Sequence, residues 1–539
     1  MAPGDPNRWK PWDSVEIGWG KSTRGVRERY VAPPRRGARA CRESWHRART
    51  CQKGEMPAVV PQAPDEMMDA VEVDHGSSWR HWTLEVVLAT GLFQAGMALP
   101  AAASWLVLLS LVFLLRLRRA ATMGRAFYGG LLVGLGIMGP QLLFFYRVFG
   151  GLAVVLWFLL AIWIAAFVAL AKLAEQRFGR EWGVAAAPVL WLGLEFTRCE
   201  VWPLKFAWLT PGFVLPAEQF AGAFHWLGVY GVGALMVYAA AWVADTSRGA
   251  IKWALPAILP LGLMGLPHAK PAEANAALSV AGVQHEGPSP DDVIHNLNEA
   301  LRQAPEAMLF VLSEYTYVGS APPRELFDWC KKNARHVLVG AWEVIDGEHM
   351  EREEYNTAFI IGPDGVVEHK QAKSVPIQFM ADGLPAKNRH IWEGPLGKIG
   401  VAICYDMNYV RVMDELIEKD AALLVIPAMD VMSWGDHAHR LSAQLAGVRA
   451  AEYGVPLFRL ASSGYSRIAM PDGKVAVELG VPGQGEVIHG QVYLPAKGRR
   501  PLDRWLAWPC VALTAGLAMF LIIDAIRRSR MEKWAKAVG

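Results

Sequence analysis

The stretch Lys398-Ile399-Gly400-Val401-Ala402-Ile403-Cys404-Tyr405-Asp406 decides how this chain is read. Its small and β-branched apolar residues predict a buried strand. That strand delivers a cysteine at its end. A helical pattern starts near Asn408, with Val410, Val412, Met413, Leu416 and Ile417 on one face. A thiol so placed lies where helix N-terminal N–H groups stabilise a thiolate. A cysteine of ordinary pKa, about 8.5, is only a few per cent thiolate at neutral pH, so a nucleophile here needs a base and its transition state needs a cation or dipole. Taken alone, Cys404 reads first as a small core thiol.

Two upstream stretches change that reading. Leu309-Phe310-Val311-Leu312-Ser313-Glu314 is an apolar run closed by a carboxylate, and a partly desolvated carboxylate suits a general base. A second strand-like run, Val366 to Lys373, ends just before Ser374-Val375-Pro376. Lys370 rivals Lys373 as its functional lysine, because strand ends are read only to within a few residues.

Around these, strand-like runs fall at 278–284, 337–342, 357–361, 422–427, 456–461, 466–470 and 487–493. Helical patterns fall at 291–303, 323–333, 408–419 and 437–453. Turn chemistry such as Gly362-Pro363-Asp364-Gly365 separates them. Strands alternating with helices, then strand pairs, predict a layered α-β-β-α sandwich over residues 276–495.

The rest of the chain has a different texture. Residues 1–80 are rich in Arg, Pro and Gly without periodicity and predict a disordered basic cytoplasmic tail. Apolar stretches follow near 82–98, 101–115, 126–146, 151–172, 184–203, 221–244, 251–267 and 505–525. A crossing of the hydrocarbon layer takes about 20 residues. The expectation is therefore a seven-span bundle over 81–270, an eighth span at 503–526 and a second basic tail at 527–539. Hydrophobic residues make up 53% of the 539 and tryptophans number 23, which fits a membrane protein. Basic clusters at 116–125, 172–180, 248–252 and 527–536 fall on one side if there are eight spans. Both termini are then cytoplasmic, and the 276–495 domain lies outside the cytosol.

The net charge of +3 argues against a nucleic-acid partner. Six scattered cysteines without a CxxC argue against zinc and a disulfide framework, although Cys41 and Cys51 have a spacing that permits pairing. His437 and His439 form an HxH pair, but i and i+2 do not share a helix face and no third ligand is near. No metal and no cofactor are expected.

The order Glu314, Lys373, Cys404 at successive strand ends resembles the nitrilase superfamily, whose members use a glutamate, a lysine and a cysteine. With apolar spans on both sides, the chain is similar to the membrane-embedded branch of that superfamily, the apolipoprotein N-acyltransferases of bacterial inner membranes. The likeness runs over roughly 82–525 and includes Val280-Ala281-Gly282-Val283-Gln284, Ser313-Glu314, Tyr355-Asn356-Thr357-Ala358, Ile403-Cys404-Tyr405-Asp406, and Arg449-Ala450-Ala451-Glu452-Tyr453-Gly454. Pro188-Val189-Leu190-Trp191 and Glu195-Phe196-Thr197-Arg198 echo the family in the apolar half. Spacing from the Asp364-Gly365 turn favours Lys373 over Lys370 within that likeness.

The resemblance implies a multi-pass α-helical membrane bundle plus a nitrilase-like sandwich. It implies catalytic Glu314, Lys373 and Cys404, with Tyr405, Asp406 and Trp434 around the oxyanion and the site mouth. It also implies a phospholipid acyl donor, a lipid-modified apolipoprotein acceptor and a monomeric enzyme of the bacterial inner membrane with a periplasmic catalytic domain. The alternative is a membrane-anchored amidase, or an acyltransferase with another amine acceptor. The segment after the lysine departs from the family: Lys373-Ser374-Val375-Pro376-Ile377-Gln378-Phe379-Met380 lacks the family's histidine and its following glutamate. Asp382 and Asp406 are the two candidates to replace that glutamate.

Overall fold

The computed structural model describes residues 78–538 apart from 100–102, 246–248, 250–253, 270–276, 347–351 and 496. The expected basic tail with Cys41 and Cys51, and the Pro-Ala turn of the first apolar hairpin, lie outside the described residues.

Helices form at all eight apolar stretches. They are α1 (Trp79–Ala98), α2 (Leu106–Arg116), α3 (Met123–Gln141), α4 (Phe144–Phe149), α5 (Leu152–Phe178), α6 (Arg180–Phe196), α7 (Ala221–Ala244), α8 (Ala254–Met264) and, far along the chain, α13 (Asp503–Val538). The third apolar stretch divides into α3 and the short α4, where Pro140 sits in the last turn of α3. Among the described residues, three helices are long and apolar enough to cross a membrane: 152–178, 221–244 and 503–531. The others are compatible with membrane segments. Close packing rests on small residues where helices meet: a Cβ at Gly134 would lie 2.8 Å from the Ala161 Cα of α5, and one at Gly130 would lie 2.9 Å from that of Ala165.

One helix departs from the expected uninterrupted span. Gly228 in α7 has φ 73°, a left-handed conformation, and it breaks the helical hydrogen-bond ladder there. The backbone N–H of Val229 then donates to Glu452 (2.9 Å) and that of Tyr230 to Asp503 (3.1 Å). A side chain at 228 would collide with the Asp503 carboxylate.

The part between α8 and α13 contains a sandwich of two six-stranded sheets. One runs β12-β1-β2-β3-β4-β5 and the other β11-β10-β9-β8-β7-β6. Here β1 is Ala277–His285, β2 Leu309–Leu312, β3 His336–Asp346, β4 Arg352–Ile361, β5 Val367–Ala372 and β6 Ile391–Gly394. Then follow β7 Gly397–Val401, β8 Leu423–Ala428, β9 Leu457–Ala461, β10 Ser466–Ala469, β11 Val475–Leu479 and β12 Gln484–Tyr493. The inner strands β1-β2-β3 and β7-β8-β9 are parallel, and the outer ones pair antiparallel. Strands β6 and β11 escaped the sequence reading because their apolar runs, Ile391-Trp392 and Val475-Ala476-Val477, are short and are cut off by a glutamate.

Strand alternation sorts the core into layers. Val280, Val311 and Leu338 meet Ile399, Val425 and Phe458 between the sheets. Ala281, Phe310 and Val337 face α9 (Pro290–Gln303) and α10 (Arg324–Asn333) through Leu297, Leu326 and Trp329. The outer face of the second sheet packs on α11 (Val410–Glu418) and α12 (Asp436–Tyr453), whose apolar residues run continuously into the core of the helical bundle. The α-β-β-α layering is the one expected, and one helix layer also serves as the seam with the bundle.

Polar groups lock that seam. Arg504, at the start of α13, pairs with Asp503, Asp414 and Glu452 at 2.6–3.0 Å. Arg449, fully buried on α12, pairs with Glu452 and donates to the carbonyls of Met407 (3.0 Å) and Asn408 (2.7 Å). Glu200, in the turn after α6, accepts from the Val410 N–H (3.1 Å) and the Tyr230 hydroxyl (2.9 Å). Buried groups this polar are tolerated because almost every one has a partner.

Candidate active site

The strand carrying Lys398–Val401 ends as expected, but the chain does not pass straight into a helix. Cys404 begins a 3₁₀ turn, Cys404–Asn408, and α11 starts only at Val410. The cysteine itself has φ 48°, a left-handed conformation uncommon for a side-chain-bearing residue and a local strain of about 1–3 kcal/mol. This sharp turn projects the sulfur out of the sheet. The expected helix N-terminal thiolate is therefore corrected. Burial pushes the Cys404 thiol well above its ordinary range and the Glu314 carboxylate adds to the effect, while Lys373 and Arg459 pull the other way. A base is needed to ionise it.

Glu314 follows β2 and is 2% exposed. One carboxylate oxygen accepts from the Lys373 ammonium (2.8 Å) and the Asn356 amide (2.7 Å), and the other from the Met429 N–H (2.8 Å). The sulfur of Cys404 lies 3.9 Å from the carbonyl of that same Met429. Met429 therefore sits between thiol and carboxylate. Gly340 of β3 lies directly beneath: a Cβ there would come within 2.6 Å of the Glu314 Cα and 2.7 Å of the Ser313 carbonyl oxygen.

Lys373 follows β5 and is 1% exposed. Its ammonium is shared by Glu314 (2.8 Å) and Asp382 (2.7 Å). Burial alone lowers its pKa, but Asp382, Glu314 and Cys404 outweigh that and hold it well above the ordinary lysine value. Lys370, the rival, points to the opposite face of β5 and pairs with Glu343 at 2.8 Å on the exposed side. Odd and even positions of a strand cannot share a face.

Of the two candidates for the missing glutamate, the structure puts Asp382 against the lysine. It also accepts from the Tyr315 hydroxyl (2.5 Å), the Asn356 amide (3.0 Å) and the Ile377 N–H (2.7 Å). Asp406 acts elsewhere, its carboxylate accepting the backbone N–H groups of Ser374, Val375 and Ile403 at 2.7–3.1 Å. It ties the lysine segment to the Cys404 turn. Burial raises its pKa to about 6, and those N–H groups hold it down from going further.

Tyr405 and Trp434 both line the cavity into which the Cys404 sulfur opens. The Tyr405 hydroxyl donates to the Lys205 carbonyl at 2.7 Å. His437 and His439 of the HxH pair go to separate partners, Gln141 of α3 and the Val431 carbonyl, each at 2.9 Å. Sequence reasoning gave no role to Asn356, Tyr315 or the Met429 N–H. Asn356 lay in a quoted motif, but its strand reads as ordinary core.

The cavity measures about 980 Å³, including the space at its open mouth. Its walls are mainly aromatic and aliphatic. Phe144 and Phe145 come from α4, Leu160 from α5, Phe206 and Trp208 from the segment after α6, and Phe379 from the segment after Lys373. Bundle and sandwich build it together, with Cys404, Asp430 and Ser442 contributed by the sandwich. Asp430 is held by Arg459 at 2.7 Å.

An α-β-β-α sandwich with a cysteine on a sharp strand-end turn, beside a glutamate and a lysine, defines a domain of the carbon-nitrogen hydrolase type. The family model for carbon-nitrogen hydrolases matches residues 280–495, and the model for the apolipoprotein N-acyltransferase N-terminal domain matches 90–242. Both halves taken together, the chain belongs to the apolipoprotein N-acyltransferase family of the nitrilase superfamily.

Among relatives, the apolipoprotein N-acyltransferase of Nitrosomonas europaea is 24% identical over 422 residues, 67% of this chain and 81% of that protein. The deaminated glutathione amidase of Dictyostelium discoideum is 27% identical over 143 residues, 23% of this chain, and the match spans about half (49%) of that relative's length. A solved structure, Nit3 of Saccharomyces cerevisiae, aligns at 22% identity over 40% of this chain and 90% of its own, with a TM-score of 0.35.

Proposed function

We propose that the protein transfers a fatty acyl group from a membrane phospholipid, through a thioester on Cys404, to the α-amine of a lipid-modified N-terminal cysteine on a lipoprotein. The observation that carries this reading is that the Cys404 sulfur opens into an apolar cavity walled by α4, α5 and the sandwich together. A small-amide hydrolase has no use for such a cavity.

Glu314 takes the thiol proton as sulfur attacks the ester carbonyl. The oxyanion forms against the Lys373 ammonium and a backbone N–H at Tyr405. Removal of one such donor costs about 10²–10³ in rate. The carbon–oxygen bond then breaks, Glu314 returns the proton to the departing lysophospholipid oxygen, and the acyl group stays on sulfur. In the second half the amine attacks the thioester, Glu314 accepts a proton from nitrogen, the carbon–sulfur bond breaks and the thiol regains its proton. The net change is ester plus amine to amide plus alcohol. Aromatic walls exclude water that would otherwise hydrolyse the thioester.

The reading places a multi-pass bundle in the bacterial inner membrane with the sandwich on the periplasmic side, acting as a monomer. Two features support it. Large apolar side chains face outward along the helices, such as Val154, Val155, Leu513 and Met519, as lipid-facing residues would. Ion pairs Arg118–Glu175, Arg119–Asp245 and Arg177–Asp524 tie the basic residues after α2 and at the end of α5 to carboxylates of α5, of α13 and of the residue that follows α7. Intact mass of the detergent-solubilised protein after incubation with phospholipid tests the chemistry. An acyl adduct is expected on the protein and none on Cys404→Ala, which also transfers nothing to a lipopeptide. Transfer by Cys404→Ala at the parent rate would overturn the mechanism.

A further inference from the structure

Among the described residues, the cavity wall contains two charged side chains, Asp430 and Lys205. Asp430 is neutralised by Arg459, whose guanidinium also donates to the Ser442 hydroxyl (2.9 Å) and the Tyr465 carbonyl (2.7 Å). Lys205 has no such counter-charge. Its ammonium makes no hydrogen bond or ion pair with any described residue. Its position is nevertheless fixed, since its backbone carbonyl accepts from the hydroxyls of Tyr405 (2.7 Å), in the turn that carries Cys404, and Tyr409 (3.3 Å), directly after it. The cation is thus pinned by its main chain to the element that carries Cys404.

A second cation stands nearby. Arg411, exposed on α11, lies over the ring of Tyr409 at 5.7 Å. Burial lowers the Lys205 pKa, Arg411 lowers it further, and Glu200 opposes both. Glu200 accepts from Val410 and Tyr230 through Oε1, and its Oε2 makes no hydrogen bond to a described residue, Lys205 included. Two neighbouring cations that share one carboxylate, with no direct hydrogen bond from Lys205 to it, form a site that an anion would relieve. The rest of the wall is mainly apolar, with Gln378, Asn408 and Ser442 as uncharged polar exceptions, so the site fits an amphiphile whose anionic head lies at Lys205 and whose chain lies among the aromatics.

We propose that the Lys205 ammonium reads the phosphodiester of the acyl donor and so selects a glycerophospholipid over a neutral ester. This rests on the acyl-transfer reading above and deepens it. In a glycerophospholipid the phosphate lies a few bonds from the reacting ester. The amine acceptor, a diacylglyceryl cysteine, carries no phosphate, so Lys205 serves the first half-reaction and is idle in the second.

The test is a single-turnover measurement on the full chain in detergent, reading acylation of Cys404 by intact mass. The donors are phosphatidylethanolamine and the p-nitrophenyl ester of the same fatty acid. Lys205→Gln is expected to slow acylation by the phospholipid about tenfold, the scale of a charge-assisted hydrogen bond. It should leave acylation by the p-nitrophenyl ester, and transfer from the preformed thioester to a lipopeptide, at parent rates. Lys205→Arg should retain most of the phospholipid rate. Raised salt should slow the parent with phospholipid and leave Lys205→Gln less affected. Equal losses with both donors, or no loss with either, would overturn the inference while leaving acyl transfer standing. A parent protein that acquires no acyl group from any donor would overturn acyl transfer itself, and this assignment with it.

Discussion

Replacement of Lys373 by methionine removes the cation that Glu314 and Asp382 share at 2.8 and 2.7 Å. All three side chains are 5% exposed or less, so water cannot take its place. Breaking a buried ion pair by removing one partner costs about 3–5 kcal/mol. A domain of this size loses about 2–4 °C of melting temperature per kcal/mol, so a fall of about 10 °C near neutral pH is expected.

The sign of the pH dependence discriminates further. In the parent, burial alone would raise Asp382, but Lys373, Tyr315 and the Ile377 N–H outweigh it and hold its pKa below the ordinary value. Its stabilising effect is therefore present above the unfolded aspartate pKa and lost as pH falls through the depressed one. Lys373, held above its ordinary value, contributes throughout the neutral range and is lost only as pH rises past its folded pKa. In Lys373→Met, two adjacent buried carboxylates cannot both stay charged, and one takes a proton with a pKa above its unfolded value. The variant is then most stable in acid and loses about 1.4 kcal/mol per pH unit as pH rises through that raised pKa. Thermal unfolding of the full chain in detergent at about pH 5.5 and about pH 8 reads both effects, since Asp382 and Lys373 both titrate outside that window and leave the parent flat, while the variant loses stability as pH rises. A variant that melts with the parent's pH slope would refute the shared-ammonium arrangement. Acyl transfer should also fall by about 10²–10³ through loss of the oxyanion partner.

Two further outcomes follow from the same geometry. Gly340→Ala places a methyl 2.6 Å from the Glu314 Cα, against backbone that cannot yield cheaply. It should cost about 1–3 kcal/mol in thermal unfolding and lower the acylation rate more than the affinity for donor. Glu314→Gln removes a negative charge that raises the Cys404 thiol, so iodoacetamide alkylation at neutral pH should quicken while acyl transfer falls about 10²–10⁴ for want of the base. Slower alkylation alongside slower transfer would contradict that electrostatic account.

Much of this protein was legible because the signals are local. Largely unbroken apolar runs at 278–284, 309–313 and 422–427 and amphipathic faces at 291–303 and 408–419 give strands and helices to within a few residues of their observed ends. A strand closed by Glu314, another by Lys373 and a third leading to Cys404 carry their chemistry at recognisable ends. The apolar stretches announce the helices around them for the same reason.

What tertiary structure alone decided is long-range. Asp382 reaches Lys373 from a segment with no periodicity, Asn356 reaches Glu314 from another strand, and Gly228 breaks α7 because Glu452 and Asp503, more than 200 residues on, accept the freed N–H groups. The cavity belongs to no single stretch at all. Its walls come from two halves of the chain whose hydrophobic faces each look like ordinary core until they are packed together. Hydropathy tells which side chains leave water, but only the fold tells which of them leave a space between them, and where the sulfur meets it.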